Sequence, residues 1–470
     1  MINKRQGKKL LPAMVISSLL VGGFAAGYPG AAAKGENPAQ NPETAVKEAN
    51  QKQAKIKNVI FLIGDGMGPA YNTAYRAFKD NQATPYMEKT AFDTYLVGMQ
   101  QTYSWDPEQS VTDSAAAATS LAAGIKTYNG AIAVDMEKND VKTVLETAKE
   151  DGKATGLVAT SQINHATPAS FGSHDESRHN YNDIADDYFD DLVNGEHKVD
   201  VLLGGGTSYF DRADRNLTAE FAEDGYGVVT TRAELLKDES DQLLGLFAPK
   251  GLDKAIDRNE ETPSLAEMTD EALERLSEDQ DGFFLMVEGS QIDWAGHDND
   301  IVGAMSEMED FEKAFARAIE FAEQDEHTLV ITTADHSTGG FALGRDGEYK
   351  WDPRPLQAAE RTPDFMAAQI AAGSPVEEVL AEYINLDLTA EEVQSVKDAA
   401  ASGKAVEIDN AIEHIFNIRS GTGWTTGGHT GVDVNVYAYG PQWEEFVGLH
   451  DNHILGQKVM EVFSNTRNGK

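Results

Sequence analysis

Five short apolar stretches, each running directly into a polar turn, limit what this chain can fold into. The first, Asn58–Ile63, is Asn-Val-Ile-Phe-Leu-Ile and stops at Gly64-Asp65-Gly66-Met67-Gly68. Unbroken apolar character over one strand length marks a strand covered on both faces, as in a parallel sheet. Ala154–Thr160 leads into Ser161-Gln162-Ile163-Asn164-His165-Ala166-Thr167, and Val199–Leu203 into Gly204-Gly205-Gly206. Gly282–Val287 opens onto a turn from Glu288 to His297, and Thr328–Thr333 ends in Ala334-Asp335-His336. Between them the spacing predicts helices over 114–123, 140–151, 264–277 and 301–322, the third led by a capping box of Ser264 and Glu267. Strands alternating with helices give an α/β fold: a doubly wound, mostly parallel central sheet with helices on both faces. In such a sheet the carboxyl ends of the strands share one edge, and ligands collect there. An alternating strand, Val432–Tyr439, and a helix over 451–463 close the chain.

The ends and one long interruption define the organisation. Lys4, Arg5, Lys8 and Lys9 precede the apolar run Leu10–Ala26, and Ala31-Ala32-Ala33 follows. That pattern reads as a secretory signal over 1–33. The run contains Pro12, Ser17, Ser18, Gly22 and Gly23 and is short for a membrane span. The expected location is therefore extracellular or in the periplasm or cell envelope, with no membrane anchor in the mature form. Residues 34–55, polar and rich in Ala, Pro, Asn and Gln, read as a mobile segment. A catalytic α/β domain then occupies 56–470, interrupted over 337–426 by a stretch that lacks strong strands and carries short helical patterns. The formal net charge of −39 disfavours nucleic acid as a partner and suits a soluble, salt-adapted protein. With no cysteine in the chain, a transition metal must be held by His, Asp and Glu.

Metal-ligand residue types recur at the strand ends. Asp293 and His297 are spaced i, i+4, which puts both on one face of a helical turn. With His429 they make a set of three N/O ligands; Asp65, Asp335 and His336 make a second. Three protein ligands and an open position are the composition of a catalytic zinc site. Asp65, Thr167 and Glu288 form an oxygen-rich third set suited to Mg²⁺. His429 precedes its strand, so it reaches the shared edge only if that strand runs antiparallel. Among these turns lies Val111–Gly124, an alanine-rich helix with Thr112 or Asp113 as its cap and Ser114 in its first turn. Exposed N–H groups and the positive dipole end favour an oxyanion there, although Thr-Asp-Ser alone is better explained as a cap. Arg178 offers a planar fork for two phosphate oxygens, or a salt bridge to Asp175 or Glu176. The acidic run Asp183–Asp191 reads as a solvated face or at best a loose Ca²⁺ site, and Met305 and Met308 as core.

Taken together, Gly64–Gly68, Thr112-Asp113-Ser114-Ala115-Ala116, Glu288–His297, Thr333–His336 and His429-Thr430-Gly431 resemble the alkaline phosphatases, from about Asn58 onward. The resemblance implies an enzyme that hydrolyses phosphate monoesters at alkaline pH through a phosphoserine, with two Zn²⁺ and one Mg²⁺ per chain. It makes Ser114 the nucleophile and Arg178 the phosphate-binding arginine. Asp293, His297 and His429 would hold the first zinc, and Asp65, Asp335 and His336 the second. Asp65, Thr167 and Glu288 would surround the magnesium. The stretch 337–426 falls where the family carries a crown insertion that contributes to a homodimer interface. His165 and Trp294 stand at positions that vary in the family, some bacterial members having Asp and Lys there and animal members His at both. His165 makes the third site less selective for Mg²⁺. A phosphodiesterase or other metallohydrolase of the same superfamily is the alternative activity.

Overall fold

The structure, a computed structural model, describes residues 55–81 and 83–467. The expected signal over 1–33, and all of the 34–55 segment except Lys55, lie outside the described residues. No helix among the described residues is long and apolar enough to cross a membrane.

The centre is a ten-stranded sheet. In chain order its strands are β1 (Asn58–Gly64), β2 (Leu96–Gln101), β3 (Ala154–Gln162), β4 (Val201–Gly205), β5 (Gly227–Val229), β6 (Leu243–Leu246), β7 (Phe283–Gly289), β8 (Thr328–Thr333), β9 (Val434–Tyr439) and β10 (Gly448–Asp451). Across the sheet they lie in the order β10-β2-β9-β8-β1-β7-β3-β4-β6-β5. β1 is central and pairs in parallel with both β8 and β7. Its residues are all buried, which accounts for its apolar sequence. β9 runs antiparallel to both of its neighbours, β8 and β2, so the loop before it arrives at the carboxyl edge. His429 thereby meets the condition that its position imposed.

The helices used below are α1 (Pro69–Lys79), α2 (Ser114–Ala123), α3 (Val144–Glu150), α4 (Ala166–Gly172), α5 (Leu265–Leu276), α6 (Gln291–Asp298), α7 (Ile301–Asp325), α8 (Pro363–Ala371), α9 (Val376–Tyr383), α10 (Ala390–Ala400), α11 (Ala405–Ser420) and α12 (Asn452–Arg467). One apolar cluster joins α5 and α7 to one face of the sheet, and a second joins α3 and α12 to the other. Met305 and Met308 belong to the first. α5 carries the expected capping box, with Ser264 and Glu267 bonding each other's backbone. α3 starts later than the sequence suggests, at Val144, because Thr143 and Glu146 make a capping box there. The acidic run is also more than a solvated face. It lies in a helix, Tyr181–Asp190, where Arg212 pairs with Asp186 at 2.6 Å and Arg215 with Asp190 at 2.7 Å.

The interruption leaves and re-enters the fold through two short ladders. Ser337 and Thr338 pair with Thr430 and His429, and Ala342 and Leu343 with Gly423 and Thr422. Its helices α8–α11 contribute Met366, Ile370, Val379, Leu380, Ile412 and Phe416 to the cluster that contains α7.

Candidate active site

Each central strand brings a polar residue to the same edge, and the local sequence fixes how it is presented. After β1 the chain turns at Gly66, whose φ of 70° lies in the left-handed region. A side chain there would start 2.8 Å from the Asp293 Cα and from the Thr338 Oγ1. Glycine is thus required for this turn to approach α6. The Gly66 N–H donates to Asp335 Oδ1 at 3.1 Å, which links the turns after β1 and β8.

α2 begins at Ser114, and Asp113 caps it by accepting from the Ala116 N–H at 3.0 Å. All ten residues of α2 are buried, so only small side chains fit around it. Ser114 Oγ stands 3.1 Å from His336 Nε2. The other Asp113 oxygen accepts from Arg178 Nη1 at 3.0 Å, and Arg178 Nη2 donates to His165 Nε2 at 3.2 Å. The partner of Arg178 is therefore the helix cap, and neither Asp175 nor Glu176, as its neighbours in sequence suggested.

Three ligand groups converge within 4.8 Å among themselves: Asp293, His297 and His429; Asp65, Asp335 and His336; and Asp65, His165 and Glu288. The first two are the sets expected. The third includes His165, and Thr167 lies beside Glu288. Asp65, Glu288, Asp335, His336 and Thr167 are wholly buried, whereas His297 is exposed. Each imidazole of the first two groups uses Nδ1 elsewhere. His297 Nδ1 donates to the Gly427 carbonyl at 2.7 Å, His429 Nδ1 to the Thr112 carbonyl at 2.8 Å, and His336 Nδ1 lies 3.3 Å from Thr338 Oγ1. That leaves Nε2 as the atom free to coordinate a metal. The Nε2 atoms of His297 and His429 face each other at 3.1 Å, a contact that needs a proton or a metal ion between them.

The carboxylates ask for the same thing. Both oxygens of Asp65, together with Thr167 Oγ1, Glu288 Oε1, Asp335 Oδ2 and His165 Nδ1, have no hydrogen-bond partner among the described residues. Buried polar atoms left bare are strongly unfavourable, so the donor set fits metal ions. Burial, then the charges of Asp293, Asp335 and Glu288, pushes the Asp65 carboxyl well above its ordinary range. Burial and the Arg178 charge lower His165 to about 3, which keeps it a neutral ligand. A hydrogen bond with Asp293 raises His297 to about 9, so a metal must displace a proton there.

Thr338 and Ser161 were not legible in the sequence. Thr338 Oγ1 donates to Asp293, and its carbonyl accepts from the Tyr71 hydroxyl at 2.9 Å. Ser161 Oγ donates to Glu288 Oε2 at 3.3 Å. The available signal was their place, Ser161 at the end of β3 before His165 and Thr338 two residues after His336. Trp294 stands edge-on to His165, with ring centres 5.7 Å apart.

A doubly wound sheet with three ligand groups around a buried serine defines a metal-dependent α/β hydrolase. The model of the alkaline phosphatase family matches residues 56–465, and the chain belongs to that family. It is 61% identical to Alkaline phosphatase 3 of Bacillus subtilis over 98% of each chain. The cold-active alkaline phosphatase of a psychrophilic Shewanella species superposes with a TM-score of 0.81 at 42% identity, over 86% of this chain and 99% of that one. A TAB5 alkaline phosphatase variant with Mg bound in its M3 site superposes with a TM-score of 0.63 at 30% identity, over 87% of this chain and 99% of that one. This chain is accordingly a phosphoric monoester hydrolase.

Proposed function

We propose that phosphoryl transfer in this enzyme runs through Ser114, with two Zn²⁺ and one Mg²⁺ as its metals. Asp293, His297 and His429 would hold one zinc, and Asp65, Asp335 and His336 the other. Asp65, Glu288 and Thr167 would hold the magnesium, with His165 beside them. Bound there, the metals supply Lewis-acid chemistry: a more acidic serine hydroxyl, and charge stabilisation on the entering and leaving oxygens.

The chain's own residues do the rest. Ser114 Oγ gives up its proton and attacks phosphorus, the ester oxygen leaves with the bond electrons and takes up a proton, and water then cleaves the phosphoserine to phosphate and free Ser114. The first N–H groups of α2 and its dipole favour the anionic adduct on Ser114. Arg178 binds the transferring oxygens with donors not engaged by Asp113 or His165, and Asp113 keeps the guanidinium aimed. Trp294 provides an apolar edge beside His165 and no cation for phosphate.

The observation that carries this reading is the serine hydroxyl at a capped helix start, 3.1 Å from an imidazole of a three-ligand group. The test is Ser114→Ala assayed on p-nitrophenyl phosphate and on a bis-ester. Monoester turnover should fall by about a thousandfold or more with the metal content unchanged. A variant that keeps its rate, or a wild type that prefers the diester, overturns the proposal. We also assign the enzyme to the exported fraction as a homodimer; an unprocessed N terminus on secreted protein, or a monomer in sedimentation, contradicts those assignments.

A further inference from the structure

Away from the serine, carboxylates meet where α11 passes the corner between α6 and α7. Asp298 is the last residue of α6. Asp409 and Glu413 lie one turn apart on α11 and so share a face. Asp298, Asp409 and Glu413 each offer one oxygen, and these lie within 4.8 Å of one another. Asp409 and Glu413 are only 3% and 4% exposed. Asp409 Oδ1 and Glu413 Oε1 have no hydrogen-bond partner among the described residues.

The nearby cation does not reach them. Lys254 Nζ stands 2.6 Å from Asp364, 3.5 Å from Asp300 and 3.6 Å from Asp298. One ammonium thus serves three carboxylates, and the charge of Asp409 and Glu413 is left over. Burial, then repulsion from Asp364, pushes Asp409 up to about 8; burial and repulsion from Asp409 push Glu413 up to about 10. Such a group is neutralised either by protons or by a cation.

We propose that Asp298, Asp409 and Glu413 form a further metal site, separate from the catalytic groups, that takes a hard divalent cation of the calcium class. All three donors are carboxylate oxygens, which favours Ca²⁺ over zinc. Three carboxylate oxygens within 4.8 Å of one another can all reach a single calcium ion at Ca–O distances of about 2.4 Å. Asp298 and Glu413 also border a cavity of about 370 Å³ with Asn299, Asn417, Trp424, His414 and Arg345, the last paired with Asp346 at 2.8 Å, which gives room for water to complete the shell. One turn further along α11, Asn417 Nδ2 donates to the Asn299 carbonyl at 3.1 Å. The ion would therefore fasten the interrupting segment to the residue that follows His297. This inference does not depend on the reading of Ser114.

The full-length enzyme, loaded with zinc and magnesium, is titrated with Tb³⁺ and then with CaCl₂. Trp424 lines the cavity and sensitises terbium emission. Wild type should bind about one calcium-displaceable terbium per chain, and its melting midpoint should rise with calcium. The double variant Asp409→Asn, Glu413→Gln keeps side-chain shape and should lose both effects. Trp424→Phe should lose the emission yet keep the calcium-dependent rise. Equal calcium uptake by wild type and double variant overturns the site. So does a wild type without calcium-displaceable emission, a result that needs no variant to fold and leaves protons as the neutralising charge.

Discussion

Asp113 has two roles at once, because one carboxylate oxygen caps α2 while the other holds Arg178. The cap was legible in the sequence, but the contact with Arg178 was not, since Arg178 lies 65 residues away. What could be read was the type of chemistry: ligand residues are recognisable because few side chains coordinate metals. Trp294 makes a sharper prediction. Trp294→Lys should bring a cation toward bound phosphate and lower the phosphate inhibition constant by roughly fivefold, the worth of an ionic contact of about 1 kcal/mol. An unchanged inhibition constant would show that position 294 does not face product. A second prediction concerns Glu146 and His174, paired at 2.8 Å and nearly buried. Burial works against the Glu146 charge, but the hydrogen bond and charge of His174 outweigh it and lower the carboxyl from 4.5 to about 2. The same pair raises His174 above 6.5. The Glu146 contribution is present above about pH 4.5 and is lost as pH falls toward 2. The His174 contribution is present below its unfolded value and is lost as pH rises through the raised one. The melting midpoints of wild type and His174→Gln should therefore differ most near pH 5 to 6, and converge at both extremes.

At the scale of elements, the crossing of α2 and α12 sets how firmly the serine is seated. A Cβ on Gly456 would begin 2.4 Å from the Ser120 carbonyl oxygen, and one on Gly124 would meet Gln457 at 2.7 Å. Gly456→Ala should push α12 off α2, destabilise the enzyme by about 1–3 kcal/mol and reduce kcat, although it lies at the far end of α2 from Ser114. Thermal melting beside steady-state kinetics checks this; a variant with native melting and turnover removes the argument. The elements divide by what their sequences had to encode. β1, β7 and β8 were readable because burial on both faces demands unbroken apolar runs. β2 and β10 were not, since Leu96 and Leu449 are 52% and 58% exposed and these strands are specified mainly by pairing with each other and with β9. α1 escaped notice as well: Gly68 caps it without a side-chain bond, so Pro69 at its first position is the signal that marks its start.

For the molecule as a whole, the net charge of −39 must be reconciled with a dianionic substrate. Long-range repulsion should slow encounter and strain the folded state at low salt. The melting midpoint and kcat/KM should both rise from dilute buffer to about 1 M KCl, where the Debye length falls to about 3 Å. Flat profiles would show that the metals and Arg178 dominate the field. The paired ladders at the foot of the interruption carry a different lesson. Ser337 to Leu343 and Thr422 to Thr430 are zipped together, so the two ends of the excursion are neighbours whatever lies between them. Its length can drift through insertion and deletion, at an entropic cost that grows only slowly with size. The hinge that carries His429 stays anchored meanwhile, which leaves this part of the gene open to evolutionary experiment while the catalytic centre is inherited intact.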